Sequence, residues 1–170
     1  MSVDTATEAL LKRRAEQLAR QTESEESGTH VEVLVCRLGS ERYAIETRSL
    51  RSVQWASGMV AVPCTPPFVR GIVSVRGEIV TLLDLATMLG LKSAPAEAES
   101  YPLLLLGLPG VRAGLVVDEI IGAETLDLDS LQPTLSGRDF TRGIAAGPTV
   151  LLDLEQLFTS GRFDVVDELL

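Results

Sequence analysis

Two aspartates pose the first chemical question in this chain. Asp84 and Asp153 stand in the same tetrapeptide, Leu82-Leu83-Asp84-Leu85 and Leu151-Leu152-Asp153-Leu154. Carboxylates on two matched halves can share one proton and activate water, which is the chemistry of a pseudo-symmetric aspartyl hydrolase. That chemistry wants each Asp on a tight loop, followed by small residues whose backbone donors come close. Here each Asp is followed by Leu and then by helix-compatible sequence, so the spacing predicts that both cap short helices. The cap explains both aspartates and leaves no catalytic residue to assign. His30, the sole histidine, sits at the edge of a polar linker with no base or metal-ligand set around it. Cys36 and Cys64 form no CxxC motif and read as buried free thiols of a reducing cytosol. Asp118 and Glu119 end a strand and read as a solvated edge rather than a cation site. Gly107-Leu108-Pro109-Gly110 has no Lys and no following helix, so it is not a phosphate loop. No cofactor and no metal are expected.

Arg76 is the one charged residue in a conspicuous place. It lies between the apolar run Val69 to Val75 and the turn glycine Gly77, with Glu78 to Leu83 following. This reads as a hairpin whose turn uses Gly77 for a positive φ. The guanidinium must project from the rigid end of that hairpin, either for solubility or for a partner contact. Leu50 and Val53 are likewise either core or the lining of a shallow apolar groove, with core the simpler reading.

The hairpin belongs to a unit that occurs twice. Arg70-Gly71-Ile72 returns as Arg142-Gly143-Ile144 at an offset of 72, and the Leu-Leu-Asp-Leu motif returns at an offset of 69. The second copy is therefore shorter by three residues at the hairpin turn. Upstream, Leu34 to Glu46 is echoed by Leu103 to Asp118. A long repeat present twice predicts two similar small β units rather than a solenoid. Pro63, Pro66 and Pro67 fix a segment that is neither helix nor inner strand.

The 170 residues allow one domain or two very small ones, and 45% hydrophobic content with 4% aromatics calls for an aliphatic core. A net charge of −9 without a basic stripe argues against nucleic acid. No apolar run approaches the roughly 20 residues of a membrane span, so no membrane insertion is expected. The polar N-terminus lacks a signal-peptide core, which predicts a cytoplasmic location.

Along the chain, Thr5-x-x-Glu8 is a capping box, and Leu11, Ala15 and Leu18 share one face, predicting a helix over 1–20. An acidic linker completes an N-terminal appendage of residues 1–30. Because its apolar stripe is thin, removing residues 1–28 is expected to move the melting temperature by no more than a few degrees. About 1 kcal/mol shifts a domain of this size by roughly 2–8 °C, so a larger fall in a thermal melt would mean that the helix is docked. In the body, residues 31–170, Val31, Val33 and Val35 lie on one face of a strand and Leu34, Cys36 and Leu38 on the other. That strand is therefore expected to be covered on both sides. Trp55 to Gly58 reads as a loop, Ala113 to Ile121 as one strand ended by Gly122, and Ser136 to Asp139 as a loop. Val165 to Leu170 reads as a terminal amphipathic turn. Short strands with close turn signals mark an all-β body of small barrels, with approximate halves 31–92 and 101–160.

These residues resemble the CheW-like coupling proteins of bacterial and archaeal chemotaxis. The resemblance rests on Leu38-Gly39 with Tyr43-Ala44-Ile45, on Pro67 through Val80, and on Leu83-Asp84-Leu85. It continues through Gly114 to Ile120 and Arg142-Gly143-Ile144-Ala145 to Leu151-Leu152-Asp153-Leu154. It implies two SH3-like β-barrels packed around a shared core, and a scaffold without catalytic activity. Such a scaffold joins the regulatory domain of the chemotaxis histidine kinase to the cytoplasmic tips of chemoreceptors, in membrane-associated arrays or in a non-motility chemosensory pathway. Carried over by position, Arg76 corresponds to an arginine associated with receptor contact, Leu50 to an apolar position of the receptor groove, and Gly71 to a glycine near it. Ser52 stands where many members carry an acidic residue, so the charge pattern offered to a receptor is altered. The resemblance assigns no kinase-binding residue.

Overall fold

The computed structural model describes residues 29–93, 99–134 and 139–160. The predicted helix over 1–20, the acidic linker to Gly28, the loop at Ser136 to Arg138 and the turn from Val165 to Leu170 lie outside the described residues. Among the described residues ten strands and two short helices follow one another: β1 (His30–Leu38), β2 (Glu41–Glu46), a 3-10 turn (Thr47–Ser49), β3 (Leu50–Ser57), β4 (Val69–Val75), β5 (Glu78–Asp84) and α1 (Leu85–Met88). Then come β6 (Ser100–Leu106), β7 (Ala113–Val116), β8 (Glu119–Asp127), a second 3-10 turn (Leu128–Ser130), β9 (Thr141–Ala145), β10 (Thr149–Leu152) and α2 (Leu154–Thr159).

The strands form two sheets, ordered β8-β1-β2-β10-β9 and β3-β6-β7-β5-β4. By the sequence repeat, β6 corresponds to β1, β7 to β2, β8 to β3, β9 to β4 and β10 to β5. Applying that correspondence to the first order yields the second, so the sheets are copies of one design. Each sheet closes into a small barrel in the same way. Val60 and Ile72 exchange reciprocal backbone hydrogen bonds of 2.9 Å, and Gln132 and Ile144, each 72 residues later, repeat them at 2.9 and 2.8 Å. The fold is thus the all-β pair of SH3-like barrels that the motifs imply.

The barrels do not coincide with the sequence halves 31–92 and 101–160. Each barrel takes strands from both copies, joined by the parallel pairs β2–β10 and β5–β7. A lone hairpin such as β1–β2 is marginal in water. Here it gains β8 on one side and β10 on the other, which pairs both of its edges.

Three apolar clusters result. Val33, Val35, Ala44 and Leu151 fill one barrel, and Val73, Val80, Leu82, Leu103 and Val116 fill the other. Between the barrels lies the largest cluster, with Leu34, Cys36, Ile45, Leu83, Leu104, Leu115 and the helix residues Leu85, Leu154 and Leu157. β1 is covered on both faces, as its sequence predicts.

Three local expectations are corrected. Trp55 and Ala56 are not a loop: β3 runs to Ser57, with Trp55 opposite Pro102 and Ala56 opposite Tyr101. One face of β3 carries exposed Val53 and Trp55, so the usual inside–outside alternation of polarity is missing there. The predicted strand 113–121 is broken at Val117 and Asp118. Gly122 does not end it: Gly122 adopts φ +153 within β8 beside a bulge, and the strand continues to Asp127.

Cys64 is the third correction, being exposed on the proline-rich segment, whereas Cys36 is buried. Burial first, and the Asp118 charge second, push the Cys36 thiol up to about 12. Since only the thiolate reacts, a thiol reagent at mildly alkaline pH is expected to label Cys64 promptly and Cys36 only after unfolding. Prompt labelling of both in the native protein would contradict this placement.

Candidate functional site

The β4–β5 hairpin turns through two residues, with Val75 opposite Glu78. Both turn residues have positive φ, +50° at Arg76 and +86° at Gly77, as a type I′ turn requires. Gly77 adopts this freely. Arg76 does so at a cost of about 1–2 kcal/mol, and the sequence reading assigned positive φ to Gly77 alone.

Arg76 borders a cleft of about 160 Å³ on the barrel built by β3-β6-β7-β5-β4. Arg51, Ser52, Glu78, Ile79 and Arg112 also line it. Arg51 reaches across to Glu78 (Nη1 to Oε2, 3.0 Å), and both side chains are more than 60% exposed. The Arg76 and Arg112 guanidiniums, also exposed, have no ion-pair or hydrogen-bond partner among the described residues. In a chain of net charge −9, this cleft concentrates three arginines against one carboxylate. Ile79, 66% exposed, adds an apolar surface beside them.

The four residues singled out by the resemblance are only partly assembled. Arg76 and Ser52 share the cleft. Leu50 opens the same strand but is half-buried and packs on the cluster between the barrels. Gly71 is buried at the β4 bulge, where an added Cβ would lie 2.3 Å from the Val60 carbonyl oxygen. Its position serves barrel closure rather than a surface. Arg51 and Arg112 were missed. Arg51 adjoins Leu50, which is a usable signal, but Arg112 reaches the cleft only through tertiary folding.

A second, shallower groove of about 570 Å³ lies between β3 and the start of β8, at the seam of the two barrels. Val53 and Trp55 face Asp118, Glu119 and Ile120 across it. Trp55 is 68% exposed and Val53 43%, so Val53 belongs to a groove and not to the core. Glu119 is held by Arg37 (Nε to Oε2, 2.7 Å), and Asp118 accepts from the Gly39 amide at 2.6 Å. Both acids are thereby accounted for as the solvated edge expected of them.

The aspartates are caps. Asp84 Oδ1 accepts from the Thr87 amide at 2.8 Å, and Asp153 Oδ1 from the Gln156 amide at 3.0 Å. Asp84 Oδ2 is held by Arg70 Nε at 2.7 Å and by Ser93. The equivalent arginine of the second copy, Arg142, turns instead to the buried Glu46, which Arg48 also holds. Each carboxylate is thus engaged at its own helix end, and no hydrogen bond joins the two among the described residues, as the hydrolase pair would need.

A duplicated pair of small barrels, with its aspartates committed to capping and an arginine cleft and an apolar groove left open, has the build of a protein-binding module. Residues 32–162 match the CheW-like domain, and the chain belongs to that family. A probable chemotaxis protein CheW from Rhizobium etli is 29% identical over 136 residues, covering 75% of this chain and 87% of the relative. The chemotaxis protein CheW of Klebsiella aerogenes is 26% identical over 144 residues, covering 80% and 86%. The crystal structure of the scaffolding protein TtCheW from Thermoanaerobacter tengcongensis shares the fold, with a TM-score of 0.65 at 24% identity, covering 76% of this chain and 92% of that one.

Proposed function

We propose that this protein is a non-enzymatic adaptor of a chemosensory system, joining the cytoplasmic tips of chemoreceptors to the regulatory domain of a histidine kinase. It would act at membrane-associated receptor arrays; no helix among the described residues is long and apolar enough to cross a membrane. Family membership supports the class of protein. The observation that carries the reading is the presence of two distinct open surfaces, since an adaptor must hold two partners at once. Ser52 borders the arginine cleft and Val53 the seam groove. The cleft takes Arg51 and Ser52 of β3 and the groove takes Val53, Gln54 and Trp55, so the two surfaces share no lining residue and lie one after the other along that strand. The capped aspartates support the absence of catalysis.

Arg76→Ala tests this reading. The fold should survive, because an exposed turn side chain contributes no more than about 0.5 kcal/mol. Receptor assembly should weaken by roughly 1–3 kcal/mol if the guanidinium meets a carboxylate in a partly desolvated contact. Arg76→Lys should recover part of this, since an ammonium cannot make two parallel hydrogen bonds. Co-sedimentation with receptor arrays and kinase is run beside thermal melts. Unchanged binding rejects the contact, and a collapsed melt shows that Arg76 is structural.

A further inference from the structure

The duplication supplies an internal comparison for the seam groove. Val53 lies opposite Leu104, which lies opposite Leu115, the parallel neighbour of Leu83. The same walk in the other barrel leads from Leu152 through Ile45 and Leu34 to Ala123. Ala123 is therefore the counterpart of Val53, and Thr125, two residues on, that of Trp55. All four are exposed. One barrel thus closes with a small and a polar residue where the other turns a valine and the chain's sole tryptophan outward. The fold needs neither, and no described residue covers them.

We infer that the seam groove is the docking site of the chain's own N-terminal segment, residues 1–20, which lies there as an amphipathic helix with Leu11 and Leu18 against Val53 and Trp55. A lone helix of this length is at best partly formed in water and gains order by covering its apolar stripe. At 3.6 residues per turn, Arg14 falls between Leu10 and Leu18 on that stripe, so the docked face carries a cation. The groove offers Asp118 and Glu119 beside Trp55 and Ile120. Each of these carboxylates already accepts a bond, from Gly39 or Arg37, and has lone pairs left for a guanidinium. The other cleft is lined by three arginines and would repel the same face. Charge therefore selects the seam groove. Reach allows it: β1 begins at His30 opposite Asp127, and Ile120 lies seven positions back along β8, about 24 Å away. The linker Gln21 to Gly28 can span roughly 26–29 Å when extended. Docking favoured about tenfold corresponds to about 1.4 kcal/mol, which stays within the few degrees of melting temperature expected for residues 1–28. The family match begins only at residue 32, so this cover is an addition to the domain, and a partner that uses the groove must displace it.

The test uses the full chain, whose single tryptophan reports on the groove directly. With docking favoured about tenfold, the indole is open to solvent only about a tenth of the time. Acrylamide quenching of Trp55 should therefore rise at least about threefold in the double variant Leu11→Asp/Leu18→Asp, with the strand signal in circular dichroism retained. Arg14→Glu should give part of that rise, because it sets a carboxylate against Asp118 and Glu119. A nitroxide on Ala19→Cys locates the segment, in a chain with Cys64→Ser so that buried Cys36 is the one remaining thiol. It should broaden the indole signal of Trp55 and the amide signals of Val53 and Ile120, and equally so on dilution. Equal quenching in wild type and double variant, or broadening that misses Val53 and Trp55, would overturn the inference. Protection that fades on dilution would also overturn it, making a second copy the occupant. Protection lost with Val166→Asp/Leu169→Asp instead would do the same, making the C-terminal residues the occupant. Should the double variant fail to fold, the spin-labelled chain, with its leucines intact, decides. Neither measurement involves receptor or kinase, so the result is independent of the adaptor reading.

Discussion

Alanine at position 71 is expected to destabilise the protein by about 3–5 kcal/mol, enough to leave much of it unfolded at ordinary temperature. Two effects add. The backbone at Gly71 has φ +151°, which L side chains rarely adopt, and such strain costs of order 1–3 kcal/mol. The new methyl would also lie 2.3 Å from the Val60 carbonyl oxygen and 2.9 Å from its carbon. Those atoms belong to the bridge that closes the barrel, so the chain must either part Val60 from Ile72 or displace β4. Gly39→Ala is the control: it shares a positive φ, +59°, but has nothing within 4 Å of the new Cβ, and about 1 kcal/mol is expected. Urea titrations of both variants decide the matter. If Gly71→Ala unfolded within about 1 kcal/mol of wild type, the close approach would have to be absent in solution.

The second large effect is expected at Asp84. Its carboxylate is 4% exposed and Arg70 is 14% exposed, so Asp84→Ala takes the counter-charge from a largely buried guanidinium and removes a helix cap together. Breaking one side of such a pair typically costs about 3–5 kcal/mol. Asp153→Ala removes the corresponding cap at a half-buried site without stranding Arg142, which belongs to Glu46, and should cost about 1 kcal/mol. The same tetrapeptide therefore carries unequal stability in its two copies. A double-mutant cycle with Arg70→Met should recover part of the Asp84→Ala loss, because the uncompensated charge is gone. Equal losses from the two aspartate variants in chemical denaturation would show that burial of the Arg70–Asp84 pair contributes nothing.

What was legible in the sequence was local. A cap is settled within four residues, so Asp84 and Asp153 were readable from the Leu-Leu-Asp-Leu repeat and the sequence after it. The same holds for the Arg76-Gly77 turn, whose apolar flanks specify a hairpin whatever lies around it. The face of each strand was readable too, as with Val33 and Val35 against Leu34 and Cys36. The partner of each strand was not. Alternation states which side is buried but not against which strand, so the trade of strands between the copies left no mark. The cleft shows the same limit: Arg76 was visible, while Arg112 sits 36 positions further on and is brought beside it by the β5–β7 pairing. Trp55 was misread because its outward face is apolar, the reverse of the pattern that identifies a half-buried strand.

The trade of strands has a consequence for how the chain is made. Synthesis runs from the N-terminus at about 5–20 residues per second, and domains usually fold as they emerge. Here β1 must wait for β8, with Val33 opposite Glu124, and β2 must wait for β10, with Ala44 opposite Leu151. Neither barrel can be completed by the first 92 residues alone. When the ribosome has finished the first copy, it has released a set of hairpins with apolar faces and open edges. Folding is deferred until the strands of the second copy have emerged, and loop closures spanning many tens of residues make it slow. Until then the nascent first copy is a ready substrate for chaperones that shield apolar strands. Its most available intramolecular partner is the second copy, which is still leaving the ribosome.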